Sequence, residues 1–255
     1  MTTGAITHSI DLAQVVLYGF WIFFAGLIYY LHREDKREGY PLVPDGRGGR
    51  AVIEGFPGVP SPKTYLKRDG STRQSPPGGG ADTQKLQAER THEYPGSPLQ
   101  PLGNPMLAGV GPGAYAQRPD IPDPSLDGTP RIVPMRAAPG FEVSHQDTDP
   151  RGLPAVGADG AVGGKVVDLW VDRSEMLFRY LELELPAGTR VLLPMNFADV
   201  RQREVRVSAV MGSQFADVPA TRHPEQITML EEERVTAYYG AGTLYAEPSR
   251  AEPLL

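Results

Sequence analysis

The chain has 255 residues, with 25 basic against 31 acidic side chains for a formal net charge of −6, and it contains no cysteine. A net-negative chain offers no electrostatic footprint for nucleic acid, and without Cys there is no disulfide framework, thiol nucleophile or thiolate metal site. The apolar share is 40%, enough for one modest core beyond any membrane segment.

Leu12 to Leu31 reads LAQVVLYGFWIFFAGLIYYL and carries no charge between Asp11 and the His32-Arg33 pair. A helix rises about 1.5 Å per residue, so such a run covers roughly the 30 Å of a bilayer's hydrocarbon core. A buried helix of a soluble protein would need a core on all sides. A cleaved signal peptide would need basic residues ahead of the run and a small-x-small site after it, and both are missing. The segment 12–32 is therefore expected to be a single transmembrane helix that stays in the mature chain. Thr7 or Ser9 offers a cap for its start, with Asp11 favoured in the first turn.

Basic residues appear only after the span, as Arg33, Lys36 and Arg37. The positive-inside rule then places residues 1–11 in the periplasm and the rest of the chain in the cytoplasm. Gly39 and Pro41 mark the end of the helix. Within the span, Gly19 and Gly26 share one face, and small residues let a second helix come close. A lipid-facing helix with incidental glycines reads equally well. Tyr29 and Tyr30 fall where an interfacial aromatic belt is expected.

From Pro41 to Pro150 the composition shifts, with 19 of the 26 prolines and 16 of the 29 glycines in that stretch. Such a share without periodicity fits a disordered linker. Apolar residues nonetheless recur through it, among them Val52, Ile53, Phe56, Tyr65, Met106, Val133 and Phe141. That recurrence favours an extended region docked on a broad surface over residues 33–145, with a looser patch at Ser75–Thr83.

Strand patterning begins near Arg151. Gly164–Asp172 reads as a strand with Val167, Leu169 and Val171 on one face. Tyr180–Leu185 alternates, with Leu181, Leu183 and Leu185 inward and Glu182 and Glu184 outward. Val191–Met195 and Val205–Val210 supply two more strands. Short strands at this spacing predict a small, curled antiparallel sheet or barrel over 146–240, followed by a helix over Pro224–Tyr239 that Gly240 and Gly242 end. Residues 241–255 are expected to be a surface tail.

Chemical motifs are few. Gly163-Gly164-Lys165 lacks both the leading Gly and the Ser/Thr of a phosphate-binding loop. The five histidines stand apart, with no pair at ligand spacing. What remains is an ionisable corner: Asp168, Asp172, Arg173, Glu175 and Arg179. Glu175 and Arg179 meet if the connection after the strand is helical; otherwise they form an ordinary solvated turn.

Several blocks resemble the H subunit of purple bacterial photosynthetic reaction centres. They are Arg33–Leu42, Gly103–Met106 with Gly109–Tyr115, Ile132–Arg136, Asp149–Pro154, Gly164–Glu175 and Glu231–Leu244. The resemblance runs in order along nearly the whole chain and is weakest over 43–98. It implies one transmembrane helix, an extended docked region and a mainly β cytoplasmic domain of the PRC-barrel type. It implies a non-catalytic cap on the L and M subunits, with a cytochrome subunit, a light-harvesting antenna and membrane lipids as further neighbours. The setting is the bacterial inner (intracytoplasmic, chromatophore) membrane. Bacteriochlorophyll, bacteriopheophytin, quinones and non-haem iron would sit on the partner chains, with no cofactor in this chain's own core.

Matched to the family's motifs, Glu175, Asp172, Arg179, Asp127 and Asp168 fall on its proton path to the secondary quinone, and Tyr40 on a partner contact. Arg179 would hold a neighbouring carboxylate ionised, and Glu175, if buried among acids, would be pushed toward neutrality. One departure stands out. Relatives carry a histidine pair just after the Asp matched by Asp127, whereas here Asp127-Gly128-Thr129-Pro130-Arg131 has none, so the proton inlet differs and inhibition by zinc should be weaker. A membrane-tethered PRC-barrel module serving another partner, or an accessory subunit of another membrane complex, stays open on the residues alone.

Overall fold

Asp11 begins the first helix because its side chain accepts from the Gln14 amide at 2.8 Å while Gln14 Oε1 accepts from the Asp11 amide. This reciprocal pair satisfies two end donors, so the cap is Asp11 itself, neither Thr7 nor Ser9. Helix α1 then runs over Leu12–Asp35 with no residue buried along it. It is the one helix among the described residues long and apolar enough to cross a membrane. The chain turns at Gly39, whose φ of +78° lies in the left-handed region that favours glycine.

The computed structural model describes residues 11–40, 42, 54–77, 87–94 and 96–251. Residues 1–10, Pro41, Val52, Ile53, most of the Ser75–Thr83 patch and residues 252–255 lie outside them. The chain divides into two units, the first built on α1 and the second holding nearly all of the chain from Lys85 on.

In the first unit an antiparallel hairpin, β1 (Lys63–Leu66) and β2 (Thr72–Ser75), follows α1. Lys36 fastens the intervening loop, its Nζ donating to the Glu54 and Pro57 carbonyls at 2.7 and 2.9 Å.

The second unit opens with a short antiparallel pair, β3 (Ala88–Arg90) and β4 (Leu99–Pro101). Its core is a curled sheet of seven strands. These are β5 (Ile132–Pro134), β6 (Pro154–Val156), β7 (Val162–Asp172), β8 (Leu177–Glu184), β9 (Arg190–Pro194), β10 (Asp199–Val200) and β11 (Val205–Arg206). The order is β10-β11-β6-β7-β8-β9, with β5 also pairing β7. All pairings are antiparallel except β11 with β6, which is parallel. The strand expected over Val205–Val210 shrinks to two residues, although Val207 and Val210 stay fully buried.

Two register shifts on β7, near Val167 and Val171, break the simple alternation. Val166, Leu169, Trp170 and Val171 are buried, while Val167 is only half-buried. On β8, Glu182 does not face outward as its place in the pattern suggested, but is 3% exposed.

Helix α2 (Met229–Tyr245) starts five residues later than expected. Thr228 accepts from the Glu231 amide at 3.1 Å and Glu231 Oε2 accepts from the Thr228 amide at 2.9 Å, a capping box that sets the first turn. The helix also continues through Gly240 and Gly242 rather than stopping there. Both are packing glycines: a Cβ on Gly240 would stand 2.7 Å from the Pro112 carbonyl oxygen, and one on Gly242 would overlap that of Ala209. Ala241 and Gly242 are buried, so the chain beyond Gly240 is not wholly a surface tail.

Candidate functional site

The β7–β8 turn is organised by Asp172, the last residue of β7, whose side chain is 1% exposed. Its Oδ1 accepts from the Ser174 and Glu175 amides, both at 2.9 Å, and from Arg131 Nε at 3.0 Å. Arg131 Nη2 lies 2.8 Å from the second oxygen. Burial alone would raise this carboxyl, but the Arg131 bond and the two amides outweigh it and hold the pKa below the ordinary value. Arg131 itself is held charged, first by Asp172.

Arg131 gathers two more acids, Asp123 at 3.3 Å and Glu175 at closer range. Glu175 is half-exposed and sits on a tight turn, not on a helix. The next residue, Met176, has φ +58°, an uncommon backbone for a side chain of its size. Arg179, four residues on and already in β8, lies 3.9 Å from Glu175 and 4.0 Å from Glu232 of α2. The Glu175–Arg179 pair therefore forms, through a strand hairpin. The condition under which Glu175 would be pushed toward neutrality, burial among acids, does not hold here, because its half-exposed carboxylate pairs with two guanidinium groups.

A second buried acid of this cluster is Glu232, with 10% of its side chain exposed. Burial raises its pKa, partly opposed by the Tyr180 hydroxyl, which donates to Oε2 at 3.2 Å, and by Arg179. Burial likewise pushes the Tyr180 phenol well up. Sequence reading missed Arg131 and Glu232, which meet this turn from distant segments, and Tyr180, whose partner Glu232 lies 52 positions away.

Asp168 belongs to a different set. Arg136 Nη1 donates to it at 2.8 Å and also to the buried Glu182, which takes a bond from Trp170 Nε1 at 3.1 Å and one from Arg190 at 3.1 Å. Asp127 is at the surface, where the Thr129 hydroxyl at 2.7 Å and amide at 3.1 Å lower its pKa. Beside it, Thr129, Pro130, Arg173, His223 and Glu225 line a cavity of about 380 Å³. Gly19 and Gly26 lie on the open surface of α1, with nothing within 4 Å of the place a Cβ would take. Tyr40 lies under the Lys36 ammonium, 5.3 Å from the ring centre. Among the described residues, no three His, Asp or Glu side chains gather as a metal site would need.

An apolar helix long enough to cross a membrane, followed by a curled β sheet, fits a membrane-anchored protein, and the family described as the PRC-barrel domain matches residues 142–213. The family described as photosynthetic reaction centre, H-chain N-terminal region, matches residues 4–137, more than half of the chain. The chain belongs to the reaction-centre H-chain family. The H chain is a non-catalytic subunit, and membership implies association with the L and M subunits.

Proposed function

We propose that this chain caps the cytoplasmic side of the L and M subunits, shields the acceptor quinones from water and passes protons toward the secondary quinone. The basic residues after α1 support the orientation, with the barrel in the cytoplasm of a chromatophore-type membrane. The region 33–145 docks on the partner chains, and a cytochrome subunit and an antenna complete the assembly. The quinones held by the partners take up two electrons and two protons; everything else the cap does rests on its own side chains.

The observation that carries this reading is the run of charged groups leading from the surface inward. Half-exposed Glu175 touches Arg131 and Arg179, Arg131 holds the buried Asp172, and Arg179 reaches the buried Glu232. Glu175 is the member of the run that solvent reaches. Asp172, kept ionised, makes the region favourable for an incoming proton. Glu232, whose carboxyl is raised by burial, holds a proton closer to neutral pH than a surface acid does. Asp127 and the cavity shared by Thr129, Arg173 and His223 form the inlet where relatives carry their histidine pair. Asp168 belongs to the Arg136 set and acts on this path through its charge alone.

Replacing Glu175 or Glu232 by Gln in the assembled complex tests the relay. Flash spectroscopy should show the second, proton-coupled electron transfer slowed by about tenfold or more, with initial charge separation intact. Second-electron kinetics unchanged in both variants would overturn the relay.

A further inference from the structure

Within the region 33–145 that docks on the partner chains, residues 54–75 present exposed side chains on a stretch that the proton relay does not use. Phe56 is 83% exposed and its ring centre lies 6.1 Å from that of Tyr29. Tyr29 lies in the apolar run of α1, four residues before Arg33, the first charged residue after it. The loop is tied to the end of the helix at several points. Lys36, itself 5% exposed, binds the Glu54 and Pro57 carbonyls, Arg37 donates to the Ser61 carbonyl, and Lys63 pairs with Glu34. Lys63 Nζ also lies 6.0 Å from the ring centre of Tyr30. These ties hold Phe56 at the depth of the tyrosine belt, where an aromatic ring meets the boundary between acyl chains and headgroups.

The hairpin that follows continues the pattern. Tyr65 is 52% and Leu66 77% exposed. Lys63, Lys67, Arg68 and Arg73 oppose Asp69 alone among the charges of residues 63–75, in a chain whose net charge is −6. Exposed apolar side chains beside clustered Lys and Arg, at the inner end of a spanning helix, suit an anionic membrane surface.

We propose that residues 54–75 form an interfacial seat that inserts Phe56 at the bilayer boundary and binds the headgroups of anionic phospholipids through Lys67, Arg68 and Arg73. The inference depends on α1 crossing the membrane and is independent of the proton relay, so either can fail alone. The test uses the assembled complex in nanodiscs of phosphatidylcholine, with and without phosphatidylglycerol. Phe56→Trp places a reporter in the loop, read as the difference from the parent complex, and Leu66→Trp is a second reporter should the first disturb assembly. The added emission should be quenched by lipids brominated near the top of the acyl chain and less by those brominated near its end. Lys67→Glu with Arg68→Glu and Arg73→Glu should lower the phosphatidylglycerol that co-purifies. Added emission that bromolipids leave untouched would show that no acyl chain reaches the loop and overturn the seat. Unchanged phosphatidylglycerol in the charge-reversed complex would overturn the anionic preference.

Discussion

Asp172 and Glu232 lie in one cluster, yet their environments push them in opposite directions. Asp172 is buried but surrounded by a guanidinium and two amides, so its folded pKa is lowered. Its contribution to stability is present above the unfolded value of about 3.9 and is lost as pH falls through the lower folded value. Glu232 is buried with a hydroxyl and a more distant guanidinium, so its folded pKa is raised. The native state then binds the extra proton, and stability falls as pH rises from about 4.3 to the raised folded value. Glu232→Gln should remove that decline, and melting temperatures measured across this window should diverge from the parent as pH rises. Parallel melting curves at every pH would sink the assignment. Arg131→Ala should be the costlier change, on the order of 3 kcal/mol, because it leaves Asp172 buried without its cation; chemical denaturation measures it.

Helices α1 and α2 use glycine in opposite ways. In α2, Gly242 lies where a methyl group would meet the Ala209 carbonyl oxygen and Val210. Alanine would gain up to about 1 kcal/mol of helix propensity, but forcing extra atoms into a packed core costs about 1–3 kcal/mol. Gly242→Ala should therefore lower the melting temperature. A rise would show that the helix and the Ala209 segment move apart freely. In α1 the space around Gly19 and Gly26 is open, so a larger side chain there costs the chain itself little. If that face meets a partner helix, Gly19→Leu with Gly26→Leu should lower the yield of complex containing L and M while leaving the barrel's own melting unchanged. Equal yields would return α1 to the lipid-facing reading.

At the scale of the molecule, the two halves do different physical work. The first unit offers apolar surface along α1, none of it buried within the chain, so this length becomes stable only in a bilayer or against other helices. The second unit encloses its own core, in which Trp170, Leu181, Phe215 and Tyr239 are fully buried. Purified from its native membrane, the whole chain should therefore travel with two larger polytopic chains and near-infrared pigment. A detergent-free, colourless, soluble chain would contradict that expectation.

Much of this was legible in the residues because it depends on local chemistry. The length and apolarity of Leu12–Leu31 and the strands at Gly164–Asp172 and Tyr180–Leu185 are read from neighbours along the chain, whereas the start of α2 was placed at Pro224 and the Thr228–Glu231 capping box that sets it was missed. The resemblance of long blocks to the H subunit named the family. The environments of the acids were not legible. Glu182 sits at an outward position of an alternating pattern, and only Arg136, Arg190 and Trp170 closing over it make it a buried ion. Glu175 would have been pushed toward neutrality only if buried among acids, but it is half-exposed beside two guanidinium groups, and Glu232 is the acid that burial raises, because α2 brings it to Tyr180 of β8, 52 positions away. A carboxylate's burial and charge partners depend on which distant segments fold against it, and those distances exist only in three dimensions.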